Sequence, residues 1–98
     1  MHGKKVVVVI PALNEEATIG EVVEEAIRHV DNVVVVDDGS SDQTASIACE
    51  AGATVVSHSE NLGYDRSIED GFGYAVRNGA EIVITFDADG QHIADDIP

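Results

Sequence analysis

The chain has 98 residues, of which 44 % are hydrophobic and 24 % charged, a composition that fits one soluble globular domain and not a disordered chain. Nineteen acidic residues face five basic ones, for a formal net charge of −14, which excludes nucleic-acid binding through phosphate neutralisation and polybasic attachment to an anionic membrane. No apolar run approaches the roughly 20 residues that a membrane-spanning helix needs, and a single cysteine forms no internal disulfide, so a cytoplasmic location is expected.

In chain order, the first predicted element is a strand over residues 6–10. It is a short β-branched run without polar alternation, the pattern of a parallel strand buried on both faces. Lys4 and Lys5 flank its far end. A helix follows, with Ile19, Val22, Val23, Ala26, Ile27 and Val30 on one stripe and Glu21, Glu24, Glu25 and Arg28 off it. Thr18 with Glu21 makes a candidate capping box, and Asn14 is the alternative cap. Residues 33–36 form the second strand. Ser41 or Asp42 then caps a second helix that carries Ala45, Ala48 and Cys49 inward and ends at Gly52. Residues 54–56 are the third strand. In the third helix Ile68, Phe72, Ala75 and Val76 form the apolar stripe, which stops at Asn78-Gly79, while Gly71 and Gly73 each weaken the helix by roughly 1 kcal/mol relative to Ala. Residues 82–86 make the fourth strand. This β-α-β-α-β-α-β order predicts an α/β fold: a three-layer α/β/α arrangement around a mainly parallel, Rossmann-like sheet.

Ligands of such sheets bind beyond the carboxyl ends of the strands. There the sequence places Pro11-Ala12-Leu13-Asn14-Glu15-Glu16, Asp37-Asp38-Gly39-Ser40-Ser41-Asp42, His58-Ser59-Glu60-Asn61-Leu62-Gly63 and Asp87-Ala88-Asp89-Gly90-Gln91-His92. Asp87 and Asp89 are two apart in extended chain, so both carboxylates point to one side, as a hard divalent cation requires. Gln91 continues that register with a neutral oxygen. A solvated strand-end turn is the other reading of the same residues. Asp38 is either part of a turn ahead of the second helix or a carboxylate that accepts hydrogen bonds from a nucleotide. Asn14-Glu15 is either a cap or part of a site. Cys49 reads as a small core residue, Tyr64 as a packing residue near the rim, and His2, His29 and His58 as structural. No P-loop, G-x-G-x-x-G, nucleophile elbow or Cys/His pair is present.

The four motifs together resemble the family 2 glycosyltransferases, which have a GT-A fold. The Asp-Ala-Asp-Gly-Gln-His form is most similar to the branch that includes polyprenyl-phosphate (dolichyl-phosphate) mannose and glucose synthases. The resemblance covers essentially the whole chain. It implies that Pro11, Ala12, Asn14, Glu15, Asp38, Gly39, Asp87 and Ala88 bind a UDP- or GDP-linked sugar, with Asp38 at the base. It also implies that Asp87, Asp89 and Gln91 hold Mg²⁺ or Mn²⁺. The implied reaction is inverting transfer of the sugar to a polyprenyl phosphate or sugar acceptor. No catalytic base is nominated within residues 1–98; the resemblance puts it further along the chain. Residues 1–98 are thus expected to be one nucleotide-sugar-binding domain, the N-terminal part of a longer transferase acting at the cytoplasmic membrane face.

One local departure stands out. Asp65, Arg66 and Ser67 occupy positions where the family has small residues, and Arg66 is a candidate donor contact. Two other functions are weighed. A catalytically inactive nucleotide-binding or self-associating fragment, a homo-oligomer for instance, would use its open sheet edge. A phosphatase of the haloacid dehalogenase type is suggested by Asp87-Ala88-Asp89-Gly90, but Gln91 and the motif's late position argue against it.

Overall fold

A computed structural model describes residues 4–88. The elements are β1 (Val6–Ala12), α1 (Ile19–Ala26), β2 (Asn32–Asp37), α2 (Thr44–Ala51), β3 (Thr54–Ser57), α3 (Tyr64–Arg77) and β4 (Ile82–Thr85). The four strands form one sheet in the order β3-β2-β1-β4, and every pairing is parallel.

Side chains alternate across a strand, so each run of valines feeds both faces of the sheet. Val8, Ile10, Val33 and Val35 pack with Ile19, Val23 and Ala26 of α1 and Ala48 of α2. Val7, Val9, Val34 and Val36 pack on the other face with Ala75 of α3. This is the expected α/β/α layering. The eight strand residues are at most 1 % exposed, which is why the sequence shows unbroken apolar runs and no polar alternation.

Three local expectations change. Thr18 precedes α1 but makes no side-chain cap hydrogen bond; its hydroxyl donates instead to the Ala88 carbonyl, 2.7 Å away. In α2 the buried line is Thr44 and Ala48, one helical turn apart, so Cys49 falls off that line and is exposed. Asp42 accepts from the Thr44 N–H at 2.9 Å and so organises the start of α2, which ends at Gly52 with φ 113°, as the glycine position predicts. In α3 the buried line is Ser67, Gly71 and Ala75, whereas Phe72 and Val76 are about half exposed, at 52 % and 51 %. The helix therefore sits rotated from its predicted face and lays its smallest residues on the sheet. A Cβ on Gly71 would stand 2.3 Å from Val9 Cγ1.

Candidate functional site

The strand order changes direction at β1. From there the chain builds outward through β2 and β3 on one side and returns to place β4 on the other. Crevices in parallel sheets open at such a switch point. Pairing of β1 with β4 runs from Val6 to Val9, and the Phe86 N–H donates to the Val9 carbonyl at 3.1 Å. The next donor in a parallel ladder would be the N–H of residue 11, and Pro11 has none. The ladder on that side stops, and a cavity of about 400 Å³ lies beyond it.

The cavity is lined by Pro11, Ala12, Leu13 and Glu15 after β1, Asp38 after β2, Asn61, Gly63, Tyr64 and Ser67 at the start of α3, and Asp87 and Ala88 after β4. Six of the residues expected at the nucleotide-sugar site thus share one wall system: Pro11, Ala12, Glu15, Asp38, Asp87 and Ala88. Asn14 and Gly39 do not line it. Asn14 has φ 53° and its side-chain oxygen accepts from the Ser41 N–H at 2.9 Å, so it stitches the β1–α1 and β2–α2 loops together. The Ser40 hydroxyl in turn accepts from the Asn14 N–H at 2.9 Å. Gly39, with φ 81°, lets two backbones meet: a Cβ there would stand 2.7 Å from the Glu60 carbonyl carbon and 2.8 Å from the Asn61 nitrogen. Both residues shape the wall from behind.

Asp38 is the most heavily engaged side chain at the site. It is 5 % exposed. Its Oδ1 accepts from the Leu62 N–H at 2.8 Å and lies 2.8 Å from His58 Nδ1, while its Oδ2 accepts from the Gly63 N–H at 2.9 Å. The other ring nitrogen, Nε2, lies 2.7 Å from Asp70 Oδ2. Burial pushes the Asp38 carboxyl up, but the hydrogen bonds from His58, Leu62 and Gly63 more than reverse this and hold it below its ordinary 3.8. The hydrogen bond to Asp38 is the strongest influence on His58; burial opposes it, Asp70 adds to it, and the ring is held above its ordinary 6.5. Asp70 is lowered, chiefly by its bond from His58 and then by Arg66.

The sequence expectations miss His58, whose carboxylate partners, buried Asp38 and partly exposed Asp70, lie on two other elements, and Asp70 itself, which no motif contains. Tyr64 is a wall residue and is 60 % exposed, not a packing residue. Arg66 does not line the cavity; its Nε donates to Asp70 Oδ1 at 3.3 Å. Lys5 sits at the opposite end of β1, as expected, where its ammonium donates to the Asn78 carbonyl at 2.6 Å. Among the predicted cation ligands, Asp87 is half-buried on the cavity wall, while Asp89 and Gln91 lie outside the described residues. Among the described residues no three potential metal ligands gather in one place. Asp87, the described member of the predicted ligand set, fits a cation that keeps few protein oxygens and completes its shell from phosphate and water.

The chain matches the description "Glycosyl transferase family 2" over residues 7–98. It belongs to that family. An uncharacterized protein of Methanocaldococcus jannaschii is 43 % identical over 94 residues, covering 95 % of this chain and 39 % of its own length. A UDP-N-acetylglucosamine–dolichyl-phosphate N-acetylglucosaminyltransferase of Methanococcus voltae is 36 % identical, covering 99 % of this chain and 46 % of its own length. Among solved structures, glucosyl-3-phosphoglycerate synthase from Mycobacterium tuberculosis, in complex with Mn²⁺, UDP and glucosyl-3-phosphoglycerate, superposes with a TM-score of 0.73 at 32 % identity, over 88 % of this chain and 34 % of that one. This glycosyl transferase family 2 chain therefore spans less than half the length of these relatives. Among its described residues, no helix is long and apolar enough to cross a membrane.

Proposed function

We propose that this chain is the donor-binding, N-terminal part of a metal-dependent, inverting glycosyltransferase. It takes a sugar from a nucleoside diphosphate and serves transfer to a polyprenyl phosphate at the cytoplasmic membrane face. The observation that carries the reading is the cavity at the switch point, walled by Pro11, Ala12, Glu15, Asp38, Asp87 and Ala88. Its volume, about 400 Å³, lies in the range of small-molecule sites. The dolichyl-phosphate relative and the UDP-bound synthase support the acceptor and donor classes.

The charge of the wall explains why a cation belongs to this reading. Glu15, Asp38 and Asp87 line the cavity, and a diphosphate brought among them would be repelled. Asp87, with Asp89 and Gln91, would hold Mg²⁺ or Mn²⁺. Bound there, the cation supplies positive charge against the leaving diphosphate. Asp38 supplies base recognition. An ionised carboxylate offers about four acceptor sites, and three are taken by His58, Leu62 and Gly63, which leaves one on Oδ2 for an N–H of the base. Gly39, Asn14 and the Thr18–Ala88 bond hold the wall in place.

Asp87→Ala is expected to abolish Mg²⁺- or Mn²⁺-dependent binding of UDP or GDP in a variant that still unfolds cooperatively in urea, since Asp87 is half-buried on the cavity wall and not in the core. Calorimetry with the metal and again with EDTA checks it. Affinity that is unchanged, and still metal-dependent, would remove Asp87 from the site. The configuration of the transferred sugar, read by NMR in the full-length enzyme, tests inversion.

A second reading draws on the β4 edge. Among the described residues β4 pairs on one side only, with β1; its own Ile82 is 40 % exposed, and Phe72 and Val76 of α3 are 52 % and 51 % exposed. An apolar edge of that kind favours self-association. A mass that rises with concentration in sedimentation equilibrium is the expected result on that reading; a monomer at all concentrations excludes it.

A further inference from the structure

His58 follows β3 directly and is anchored there, its N–H donating to the Asp37 carbonyl at 2.8 Å. Its side chain is 8 % exposed. One ring nitrogen faces Asp38 at 2.8 Å and the other faces Asp70 at 2.7 Å. Ionised carboxylates only accept hydrogen bonds. Both ring nitrogens must therefore donate, and only the imidazolium carries two N–H groups. In either neutral tautomer a nitrogen lone pair would face a carboxylate oxygen at hydrogen-bond distance, and one of the two bonds would be lost.

The two bonds join three elements. Asp38 directly follows β2 and also accepts from the Leu62 and Gly63 N–H groups that lead into α3. Asp70 lies within α3, with Arg66 bonded to its far oxygen. Asp37, the residue before Asp38, is turned away and accepts from the Ser40 N–H at 3.1 Å. The charged groups against the ring are thus Asp38 from the β2 end and Asp70 from α3, with Arg66 behind; Glu60 of the same loop is exposed. The part of α3 that they hold contributes Gly63, Tyr64 and Ser67 to the cavity wall.

We propose that His58 is a positioning residue for nucleotide binding, an imidazolium clasp that fixes the Asp38 carboxylate and the start of α3 around the cavity and opens when it loses its proton. This rests on reading the cavity as the donor site. The direction of the pH effect follows from the geometry: burial favours the neutral ring, but the two carboxylates against it outweigh burial. The ring's proton is held more tightly folded than unfolded, so the clasp is fully formed below pH 6.5 and is lost as pH rises through the higher folded value. Asp38 and Asp70 titrate below 3.8 and do not limit it in that range.

The test is calorimetric titration of this chain with UDP and with GDP, Mg²⁺ present, from about pH 6 to about pH 9, on the parent and on His58→Gln. Glutamine can donate to one carboxylate but cannot bridge both. The parent is expected to bind about tenfold more tightly than His58→Gln at the acid end, and this ratio should close towards one at the alkaline end. The nucleotide's own titrations are common to both proteins and cancel in the ratio. A ratio that stays constant with pH, or equal affinities throughout, overturns the clasp while leaving the donor site standing. No binding of either nucleotide by the folded parent at any pH overturns the donor-site reading, and the clasp falls with it. Should His58→Gln fail to fold, Asp70→Asn, at a partly exposed position, serves instead and should move the loss of affinity to lower pH. Nitrogen NMR of the parent's imidazole gives a check without nucleotide. Two protonated ring nitrogens above pH 6.5, titrating together with the Leu62 and Gly63 amides, support the clasp; a ring already neutral at pH 6.5 overturns it.

Discussion

Asp38→Ala is expected to cost about 3–5 kcal/mol of stability and to abolish nucleotide binding. The carboxylate is 5 % exposed and is the shared acceptor for the Leu62 N–H, the Gly63 N–H and the His58 ring. Its removal leaves two backbone donors without their acceptor, each worth about 1–3 kcal/mol when buried and unsatisfied. It also leaves a buried imidazolium with one of its two counter-charges gone, and removing one partner of a buried pair is what makes such changes severe. These costs overlap and do not add in full, because the loop can move to let water in. The expected loss is still a large share of the roughly 5–15 kcal/mol that holds a domain folded. Urea unfolding near pH 6 measures it. Nucleotide binding should vanish even where the variant remains folded, because the acceptor proposed for the base is gone and the Gly63–Tyr64 wall has lost its tether. A loss below about 1 kcal/mol, or unchanged affinity for UDP and GDP, would contradict this account of Asp38.

That account also marks where sequence reading succeeds and where it stops. The strand runs, the carboxyl-end motifs and the C-terminal glycine of α2 are local patterns, set by residues within a few positions of one another. They place Pro11, Ala12, Glu15, Asp38, Asp87 and Ala88 at one end of the sheet, and the structure brings those six to one cavity. His58 is different in kind. Its partners lie 20 residues earlier and 12 residues later, on separate elements, and no spacing rule links them. Thr18 shows the same limit. Its position fits a cap, but its hydroxyl is taken by the Ala88 carbonyl, 70 residues on. Asn14 and Gly39 have the residue types that a site needs, yet their φ values of 53° and 81° are spent on holding loops together. The buried face of α3 shares Ala75 with the expected stripe and otherwise departs from it for another reason. Ranking residues by apolarity selects Ile68, Phe72 and Val76, whereas the buried face is chosen by how closely a helix can approach a sheet. The signal that was available is the spacing of small residues, Ser67, Gly71 and Ala75, at every fourth position.

Gly71→Ala should turn that last point into a measured loss of about 2 kcal/mol, or roughly 10 °C in Tm. By helix propensity alone the substitution gains up to about 1 kcal/mol. Sterics oppose it. The added Cβ would stand 2.3 Å from Val9 Cγ1 and 2.9 Å from Val36 Cγ2. Both valines are fully buried, in the two central strands, and a β-branched side chain has little rotamer freedom with which to yield. The helix must therefore lift, and it takes Ala75 and Ser67 off the sheet with it. Overpacking of this kind costs about 1–3 kcal/mol and sometimes more, which outweighs the propensity gain. Gly73→Ala, two residues along, is the control. Its Cβ would meet only the end of the flexible Arg77 side chain at 3.3 Å, so there the propensity gain of about 0.5–1 kcal/mol should survive. Thermal and urea unfolding of the two variants should thus move in opposite directions. Both glycines weaken a helix equally when only the chain is read; a shift of the same sign in both would mean that α3 does not lie on β1 and β2 as closely as Gly71 implies. The same lift would carry Tyr64 and Gly63 away from the cavity, so Gly71→Ala should also weaken nucleotide binding while Gly73→Ala leaves it unchanged.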